Sequence, residues 1–361
     1  MGDKAVVASV FLNRECPRRC PYCGSRRLGM KRLSGEQWLD AIDILRGQGI
    51  EFFLFLGNEP LMLGEELVIV VKGLAERDIE YGLYSTSPQP LFSQWREELL
   101  GAGLRNWSAG VDFIPEVYER MKKEGRLSEK AIRLIESQGQ EIVRKAEESL
   151  EGLIWMYERG VEEVLSLITV SRANVEMLYD MVVWLADNVV KDDRWKVSYN
   201  YVEWNHGDKD FMVEKEKGEG WWLSEEDREL WQGALEKLEE RWDQYPFIQP
   251  VKGYLSNIDK ALRQDVKWWK EYGFEVENLS VECNGKIRAC GYREGEVGYS
   301  VWDFVDKADE VWEAWRREVM ECKGCYWVWP HMLANAGVQA CDFRSEYWKK
   351  KYQRGKRVCV E

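Results

Sequence analysis

The stretch Asn13-Arg14-Glu15-Cys16-Pro17-Arg18-Arg19-Cys20-Pro21-Tyr22-Cys23 carries three cysteines at the spacing C-x3-C-x2-C. It directly follows an apolar run, residues 5–12, that is long enough for one buried β-strand. A loop after a strand can fold three thiolates around one metal centre. Because a cubane iron–sulfur cluster takes four ligands, three thiolates leave one iron open for a substrate or cofactor. The alternatives are a zinc knuckle and a disulfide, although no fourth ligand follows Cys23 closely.

The composition describes a soluble globular protein. Its 361 residues allow one large domain with an appendage, and no apolar run reaches the ~18–20 residues of a membrane span. No leader segment is apparent, so we expect a cytoplasmic protein, in which nine clustered cysteines favour metal binding over disulfides. The net charge of −13 argues against a nucleic-acid partner. Abundant Glu, Lys and Arg with few Asn and Gln are typical of a thermophile.

Tryptophan is unusually frequent, with 19 residues in the chain. We expect most of them to pack in the core or in interfaces, because large aromatic side chains dominate both. The alternative is a greasy substrate groove or a membrane-facing surface.

Apolar runs alternate with helical periodicity over the first 200 residues. The predicted helices lie near residues 34–47, 64–77, 93–100, 115–159 with breaks at Gly125 and Gly139, and 174–188. The predicted strands lie at residues 5–12, 50–56, 79–86, 105–113, 163–170 and 195–204. This alternation indicates an α/β fold with parallel strands and right-handed crossovers. A partial (β/α)6 barrel and a doubly wound sheet both satisfy it.

The C-terminal part has a different pattern. After a polar segment at 205–220, two helices are predicted near 224–243 and 255–271, and a third at 307–319. Residues 279–290 read as a β-hairpin, because Asn284-Gly285 between two alternating runs is a strong hairpin signal. With that turn, four strand residues, about 13 Å at ~3.3 Å each, separate Cys283 from Cys290. Such a distance is long for two ligands of one compact cluster.

The N-terminal cysteine loop, with Tyr22 before its last cysteine and a strand before its first, resembles the signature of the radical S-adenosylmethionine (radical SAM) enzymes. The quartet Gly57-Asn58-Glu59-Pro60 resembles the family's Gly-Gly-Glu-Pro motif, with Asn58 in place of the second Gly. The resemblance selects the partial (β/α)6 TIM-type barrel. It also implies a 4Fe-4S cluster on Cys16, Cys20 and Cys23, and binding of the methionine amino group of S-adenosylmethionine by Glu59.

Polar residues late in the other strands are candidates for the ribose and carboxylate of S-adenosylmethionine, because residues at strand C-termini line the active site in this fold class. The competing interpretations are caps, turns and a solvated strand end, the last applying also to Glu203. The candidate cofactor-binding residues are Tyr22, Gly57, Asn58, Glu59, Ser85, Thr86, Ser108, Asp112 and Asn200.

Gly285-x4-Cys290 followed by Cys322-x2-Cys325 resembles the SPASM/twitch extension of radical SAM enzymes, which holds auxiliary iron–sulfur clusters. His331 and Asn335 stand where the full pattern has two further cysteines, so we expect one auxiliary cluster. Its predicted ligands are Cys290, Cys322, Cys325 and Cys341, with His331 and Cys359 as alternatives to the last and zinc as the alternative metal. The predicted organisation is a barrel at 1–220, a helical linker region at 221–275 and a small Cys-rich α+β extension at 276–361.

The resemblance implies reductive cleavage of S-adenosylmethionine to a 5′-deoxyadenosyl radical, which abstracts a hydrogen from the substrate. An electron donor such as ferredoxin or flavodoxin is then needed. Enzymes with this extension commonly modify peptide or protein side chains, so a peptide is the first substrate class. The alternatives are an apolar small molecule or lipid and, in a different class, a non-catalytic iron–sulfur or zinc scaffold.

Overall fold

The structure, a computed structural model, describes residues 7–23, 31–201, 220–221, 223–245, 247–248, 278–289 and 297–321. Strands and helices alternate through its N-terminal part as the hydrophobic pattern predicts. The elements there are β1 (Val7–Phe11), α1 (Gly35–Gly47), β2 (Phe52–Leu56), α2 (Glu65–Glu76), β3 (Glu80–Leu83), α3 (Leu91–Gly101), β4 (Asn106–Gly110), α4 (Pro115–Lys123), α5 (Glu129–Gln138), α6 (Gln140–Glu158), β5 (Glu163–Val170), α7 (Leu178–Asn188) and β6 (Trp195–Tyr201).

The C-terminal part adds helices on either side of a short hairpin. Its elements are α8 (Glu225–Glu240), β7 (Asn278–Val281), β8 (Ile287–Arg288) and α9 (Phe304–Glu321). Short 3-10 helices lie at Pro60–Leu63, Val175–Met177, Trp242–Gln244 and Val301–Asp303. The helix predicted near 255–271 lies outside the described residues.

The strands form an open, mostly parallel arrangement. Five pair in the order β3-β2-β1-β7-β8 and three in the order β4-β5-β6, and β7–β8 is the antiparallel pair. A parallel bridge between Tyr84 and Ser108 connects the two sheets where β3 ends, and the Ser85 N–H donates to the Ser108 carbonyl at 2.8 Å. Strands β1 to β6 therefore neighbour one another in chain order. The α/β prediction and the partial barrel are confirmed; no pairing among the described strands closes a barrel.

The apolar side chains of the first strands explain why these strands are buried. β1 is buried along its whole length, and β2 (FFLFL) is buried except for Leu56 at its end. Such continuous apolar runs suit strands that are covered on both faces. β5 instead alternates buried and half-buried residues. All of these strands direct their C-terminal ends toward one edge, where the polar candidate residues follow.

The long helical region between β4 and β5 breaks where the glycines predict. Gly125 follows α4 with a φ of +67°, a left-handed angle that glycine adopts without a steric cost. Gly139 is both the C-cap of α5 and the N-cap of α6. The second break starts a 19-residue helix that packs against β4 and β5.

The hairpin forms with a longer turn than predicted. Val281 pairs with Ile287, and the Glu282 N–H donates to the Lys286 carbonyl at 2.9 Å. The loop therefore has three residues, with Gly285 at a φ of +81°. The two-residue Asn-Gly turn was wrong by one residue of register, because Cys283 belongs to the loop and not to the strand. β7 also pairs in parallel with β1, so the hairpin extends the barrel sheet.

The tryptophans that the structure describes act mainly in packing. Among the largest fully buried side chains are Trp38, Trp107, Trp195, Trp221, Trp231 and Trp312. The described residues include one exposed tryptophan, Trp302. No helix in the described ranges is both long and apolar enough to cross a membrane.

Candidate functional site

The cysteine loop begins where β1 ends. Cys16 and Cys20 are half-buried and Cys23 is exposed. Backbone bonds shape the loop: the Arg18 N–H donates to Cys16 Sγ at 3.4 Å, and the Cys23 N–H donates to the Cys20 carbonyl at 3.0 Å. Burial raises the pKa of Cys16 to about 12 and that of Cys20 to about 11. As they stand, no three Cys, His, Asp or Glu side chains in the described residues are grouped to hold one metal ion.

Two side-chain amides join the cysteine loop to the end of β2. Asn13 Nδ2 donates to the Glu59 carbonyl at 2.7 Å, and Asn58 Nδ2 donates to the Arg14 carbonyl at 2.7 Å. The backbones of Gly57 and Asn13 approach each other closely. A Cβ added at Gly57 would lie 3.3 Å from the Asn13 carbonyl oxygen. Asn58 thus uses its side chain where the family motif has glycine, and its backbone is not left-handed.

The Glu59 carboxylate ties the end of β2 to the end of β3. Its Oε1 accepts from Ser85 Oγ at 2.6 Å and from the Leu61 N–H at 3.1 Å. Its Oε2 accepts from the Thr86 N–H at 2.8 Å and from Thr86 Oγ1 at 2.7 Å. Glu59 is 0% exposed, and burial raises its pKa although these bonds oppose the shift. Three predicted site residues are thereby brought into one cluster.

The Asp112 carboxylate, just beyond β4, forms a second cluster. Its Oδ2 accepts from Tyr22 Oη and from Lys145 Nζ, and its Oδ1 accepts from the Thr169 N–H at 2.6 Å. Lys145 Nζ also donates to Tyr22 Oη at 3.0 Å. Burial opposes the charge on Lys145, but the Asp112 carboxylate and the Cys20 thiol outweigh it and raise the pKa of Lys145. The cysteine loop therefore contacts β4 through a buried ion pair.

Two arginines in the loop reach other elements. Arg18 donates to the Thr86 carbonyl at 3.1 Å and to Glu148 Oε2 at 2.6 Å, which ties the loop to β3 and α6. Arg14 Nε donates to Glu282 Oε2 at 2.9 Å on the opposite side, next to β7. Arg288 Nε lies 3.1 Å from Glu282 Oε1, so two cations share one buried carboxylate. The loop is thus fixed between the barrel and the hairpin.

The backbones of the other two predicted strand residues, Ser108 and Asn200, pair with residues of these two clusters. The Ser108 carbonyl accepts from Ser85 in the β3–β4 connection. The Asn200 backbone pairs with Thr169, the residue that donates to Asp112. Glu203 lies outside the described residues. Sequence reasoning did not identify Lys145 or Arg18, although Lys145 stands in the buried stripe of α6, where a lysine is unusual.

All of the predicted auxiliary ligands and their alternatives fall outside the described residues. These are Cys290, Cys322, Cys325 and Cys341, together with the alternatives His331 and Cys359. Cys283 is described: it is buried in the hairpin loop, its carbonyl accepts from the Leu33 N–H at 2.8 Å, and burial raises its pKa to about 11.

Comparison with solved structures identifies proteins of the same fold. Streptococcus suis SuiB bound to S-adenosylmethionine matches with a TM-score of 0.56 at 11% identity, over 85% of this chain and 65% of that chain. SuiB bound to precursor peptide SuiA matches with a TM-score of 0.54 at 12% identity, over 95% and 76%. Native anSMEcpe with bound AdoMet and Cp18Cys peptide matches with a TM-score of 0.52 at 12% identity, over 97% and 95%.

The chain thus spans about two thirds of the length of the first SuiB structure. Comparison with curated proteins finds no relative. Residues 10–185, which contain the cysteine loop, Glu59 and Asp112, match the family model described as the radical SAM superfamily. Residues 10–185 therefore form a radical SAM domain.

Proposed function

We propose that the protein reductively cleaves S-adenosylmethionine and uses the resulting radical to abstract a hydrogen from a peptide or protein side chain. One observation carries the proposal: the three-cysteine loop follows β1 and is hydrogen-bonded to the ends of β2, β3 and β4. A metal-binding loop fixed at the strand ends suits chemistry at the mouth of a parallel barrel.

The residues present fit the cluster that the family implies. Three soft sulfur donors come from one loop, and soft thiolates suit iron–sulfur clusters. Burial holds the thiols of Cys16 and Cys20 protonated, so the positive charge of a bound metal centre is what would make them ligands. A cubane presents its irons at separate corners, so the three thiols need not converge on one point.

The chemistry comes from the cofactors: when bound, the cluster supplies the electron that splits S-adenosylmethionine into methionine and a 5′-deoxyadenosyl radical, which then takes a hydrogen atom from the substrate. The chain's part is to bind and orient. Asn13 and Asn58 fix the loop against β2, and Tyr22 fixes it against Asp112. We assign Gly57, Glu59, Ser85 and Thr86 to the methionine end of S-adenosylmethionine, and Ser108, Asp112 and Asn200 to its ribose and carboxylate.

Glu59 is the residue with the most specific assignment. Its carboxylate already has four donors and no exposed surface, so the ammonium group of S-adenosylmethionine would replace one donor of an ordered acceptor. A preorganised carboxylate loses little freedom on binding, which favours affinity. These four donors fill the roughly four lone-pair sites of the carboxylate, so the proposed binding role requires the ammonium group to replace one of them, and the hydroxyl groups of Ser85 and Thr86 can rotate away.

A peptide substrate is supported by two solved structures of the same fold, SuiB bound to precursor peptide SuiA and anSMEcpe with bound Cp18Cys peptide. The many tryptophans were the reason to consider an apolar substrate. The described tryptophans are mostly buried and do not support that alternative. We further propose one auxiliary 4Fe-4S cluster on Cys290, Cys322, Cys325 and Cys341, an electron donor such as ferredoxin or flavodoxin, and a cytoplasmic location.

The test is anaerobic reconstitution followed by assay of 5′-deoxyadenosine with dithionite as reductant. Cys16→Ala, Cys20→Ala and Cys23→Ala, singly and together, are expected to abolish the product. Cys283→Ala, which removes a buried thiol outside the loop, is the matched control and should leave cleavage intact. Full cleavage by the triple variant would exclude the assignment.

A second assay addresses the substrate class. Short peptides encoded beside this gene are synthesised with deuterated side chains and incubated with the enzyme. Deuterium in 5′-deoxyadenosine identifies a peptide that donates hydrogen. If no such peptide transfers deuterium while uncoupled cleavage proceeds, the peptide assignment is wrong and the radical chemistry stands.

A further inference from the structure

Lys145 occupies a position that the binding assignments above do not use. It lies on α6, is 6% exposed, and donates to Asp112 and to Tyr22 Oη at 3.0 Å. Its Nζ is 5.5 Å from the centre of the Tyr22 ring. Tyr22 lies between Cys20 and Cys23 in the chain, so the ammonium group is adjacent to the part of the loop that carries two thiols.

The fold leaves room for this ammonium group. A Cβ at Gly110, the last residue of β4, would lie 2.6 Å from Lys145 Nζ and 3.0 Å from its Cε. A side chain at position 110 would therefore force the end of the lysine to shift. Glycine at the end of β4 therefore leaves space for the ammonium group beside Asp112.

The cationic side chains around the cysteine loop have different ion-pair partners. Arg18 contacts Glu148 at 2.6 Å and lies 3.7 Å from Glu141, and Arg14 contacts Glu282. Lys145 is the ion-pair partner of Asp112. Without the lysine, Asp112 would remain as a buried carboxylate beside the loop with only neutral donors, Tyr22 and the Thr169 N–H.

We infer that Lys145 is a positioning residue that sets the charge beside the cysteine loop and thereby raises the reduction potential of a cluster bound there. The inference rests on the proposed function, since it requires a cluster on this loop. Reduction adds one negative charge to the cluster, and a buried carboxylate nearby opposes that step more strongly when its cation is removed. The effect is large in a site of low effective dielectric constant.

The experiment is a redox titration of the reconstituted protein with dithionite, followed by electron paramagnetic resonance. The signal that changes on addition of S-adenosylmethionine to wild type identifies the cluster on the N-terminal loop, and all midpoints are then measured without S-adenosylmethionine. Lys145→Met is expected to shift its midpoint to a more negative potential and Asp112→Asn to a more positive one. The double variant should return toward wild type, and Lys145→Arg, which keeps the charge, should stay close to it.

Opposite shifts in the two single variants distinguish an electrostatic role from a structural one. Unchanged midpoints, or shifts in the same direction, would overturn the inference. If Lys145→Met does not retain iron, the test rests on Asp112→Asn. A midpoint potential of Asp112→Asn that is equal to or more negative than that of wild type then rejects the proposal. Lys122→Met, the same charge change at an exposed lysine of α4, is the control and should not shift the midpoint.

The outcome is separable from that of the proposed function. A wild-type protein without a signal that responds to S-adenosylmethionine would reject the proposed function. A wild-type protein with that signal, but with a midpoint that ignores Lys145 and Asp112, would reject only the role of the lysine.

Discussion

Two buried carboxylates follow strands of the same barrel, Glu59 after β2 and Asp112 after β4, and their surroundings differ in kind. Their exposed fractions are 0% and 1%. Glu59 accepts from two hydroxyls and two backbone N–H groups, all of them neutral. Asp112 accepts from a lysine ammonium, a phenol and one backbone N–H.

The different donors give the two carboxylates a different charge balance. Neutral donors order the Glu59 carboxylate without cancelling its charge, and burial accordingly raises its pKa. No cation among the described residues pairs with it. The Asp112 charge is matched by Lys145, so its cluster serves to hold the cysteine loop against β4 and α6. The neutral neighbours thus leave the charge of Glu59 uncompensated, whereas Lys145 neutralises that of Asp112.

The largest effect expected is on stability, from breaking the Asp112–Lys145 pair. Removing one partner of a buried ion pair typically costs about 3–5 kcal/mol, because the other charge stays buried. Lys145→Met should therefore lower the free energy of unfolding of the metal-free protein by about that amount, as measured by urea denaturation. Lys145→Met combined with Asp112→Asn should recover a large part of the loss. Additive losses in the double variant would mean that the two charges do not interact.

The next effect is on ligand affinity at Glu59. Charge-assisted hydrogen bonds contribute about 1.5–3 kcal/mol, so Glu59→Ala should weaken binding of S-adenosylmethionine roughly ten- to hundredfold. Isothermal titration of the reconstituted protein measures the affinity, and its iron content should stay near that of wild type. Ser85→Ala, which removes one donor but keeps the carboxylate, should cost less. Equal affinity for Glu59→Ala and wild type would refute the binding role.

The auxiliary cluster gives a prediction that tests the C-terminal assignment. Iron should number about eight per chain, four for each cubane, and substitution of Cys325 should lower it to about four. The loss should also destabilise the C-terminal region, because metal binding and folding are coupled. Iron analysis of the Cys283→Ala variant should match wild type. Zinc in this site, or about twelve irons, would exclude a single auxiliary cluster.

The fold could be predicted because short sequence patterns determine its strands and helices. Alternating apolar runs and helical periodicity predict the βα order, and the shared edge of parallel strands predicts that Glu59 and Asp112 line one region. The partners of these carboxylates could not be predicted. Lys145 is 33 residues from Asp112 in sequence, and its place in an apolar stripe was the one available signal. The hairpin register failed for a similar reason, because Cys283 is held in the loop through Leu33, far along the chain.

The pH dependence of stability separates a raised from a lowered carboxyl pKa. The folded-state pKa of Glu59 is raised above its ordinary value of 4.5, so the native state binds the proton more tightly than the unfolded chain. The stability of wild type relative to Glu59→Gln should therefore fall as pH rises above that value. The pKa of Glu136 is lowered by its hydrogen bond to Lys122, so wild type relative to Glu136→Gln should lose stability as pH falls below it. Parallel slopes in the two comparisons would contradict this assignment.

The smallest effect tests the amide that replaces glycine in the motif. Asn58 Nδ2 donates to the Arg14 carbonyl at 2.7 Å, and one such bond contributes about 0.5–1.5 kcal/mol. The backbone there is not left-handed, so glycine gains no conformational relief that would offset the loss. Asn58→Gly should lower the free energy of unfolding by about that amount, while Asn58→Ala, which loses the same bond, should fall slightly less because alanine restricts the unfolded chain more than glycine does. A glycine variant as stable as wild type would show that the amide does not hold the loop to β2.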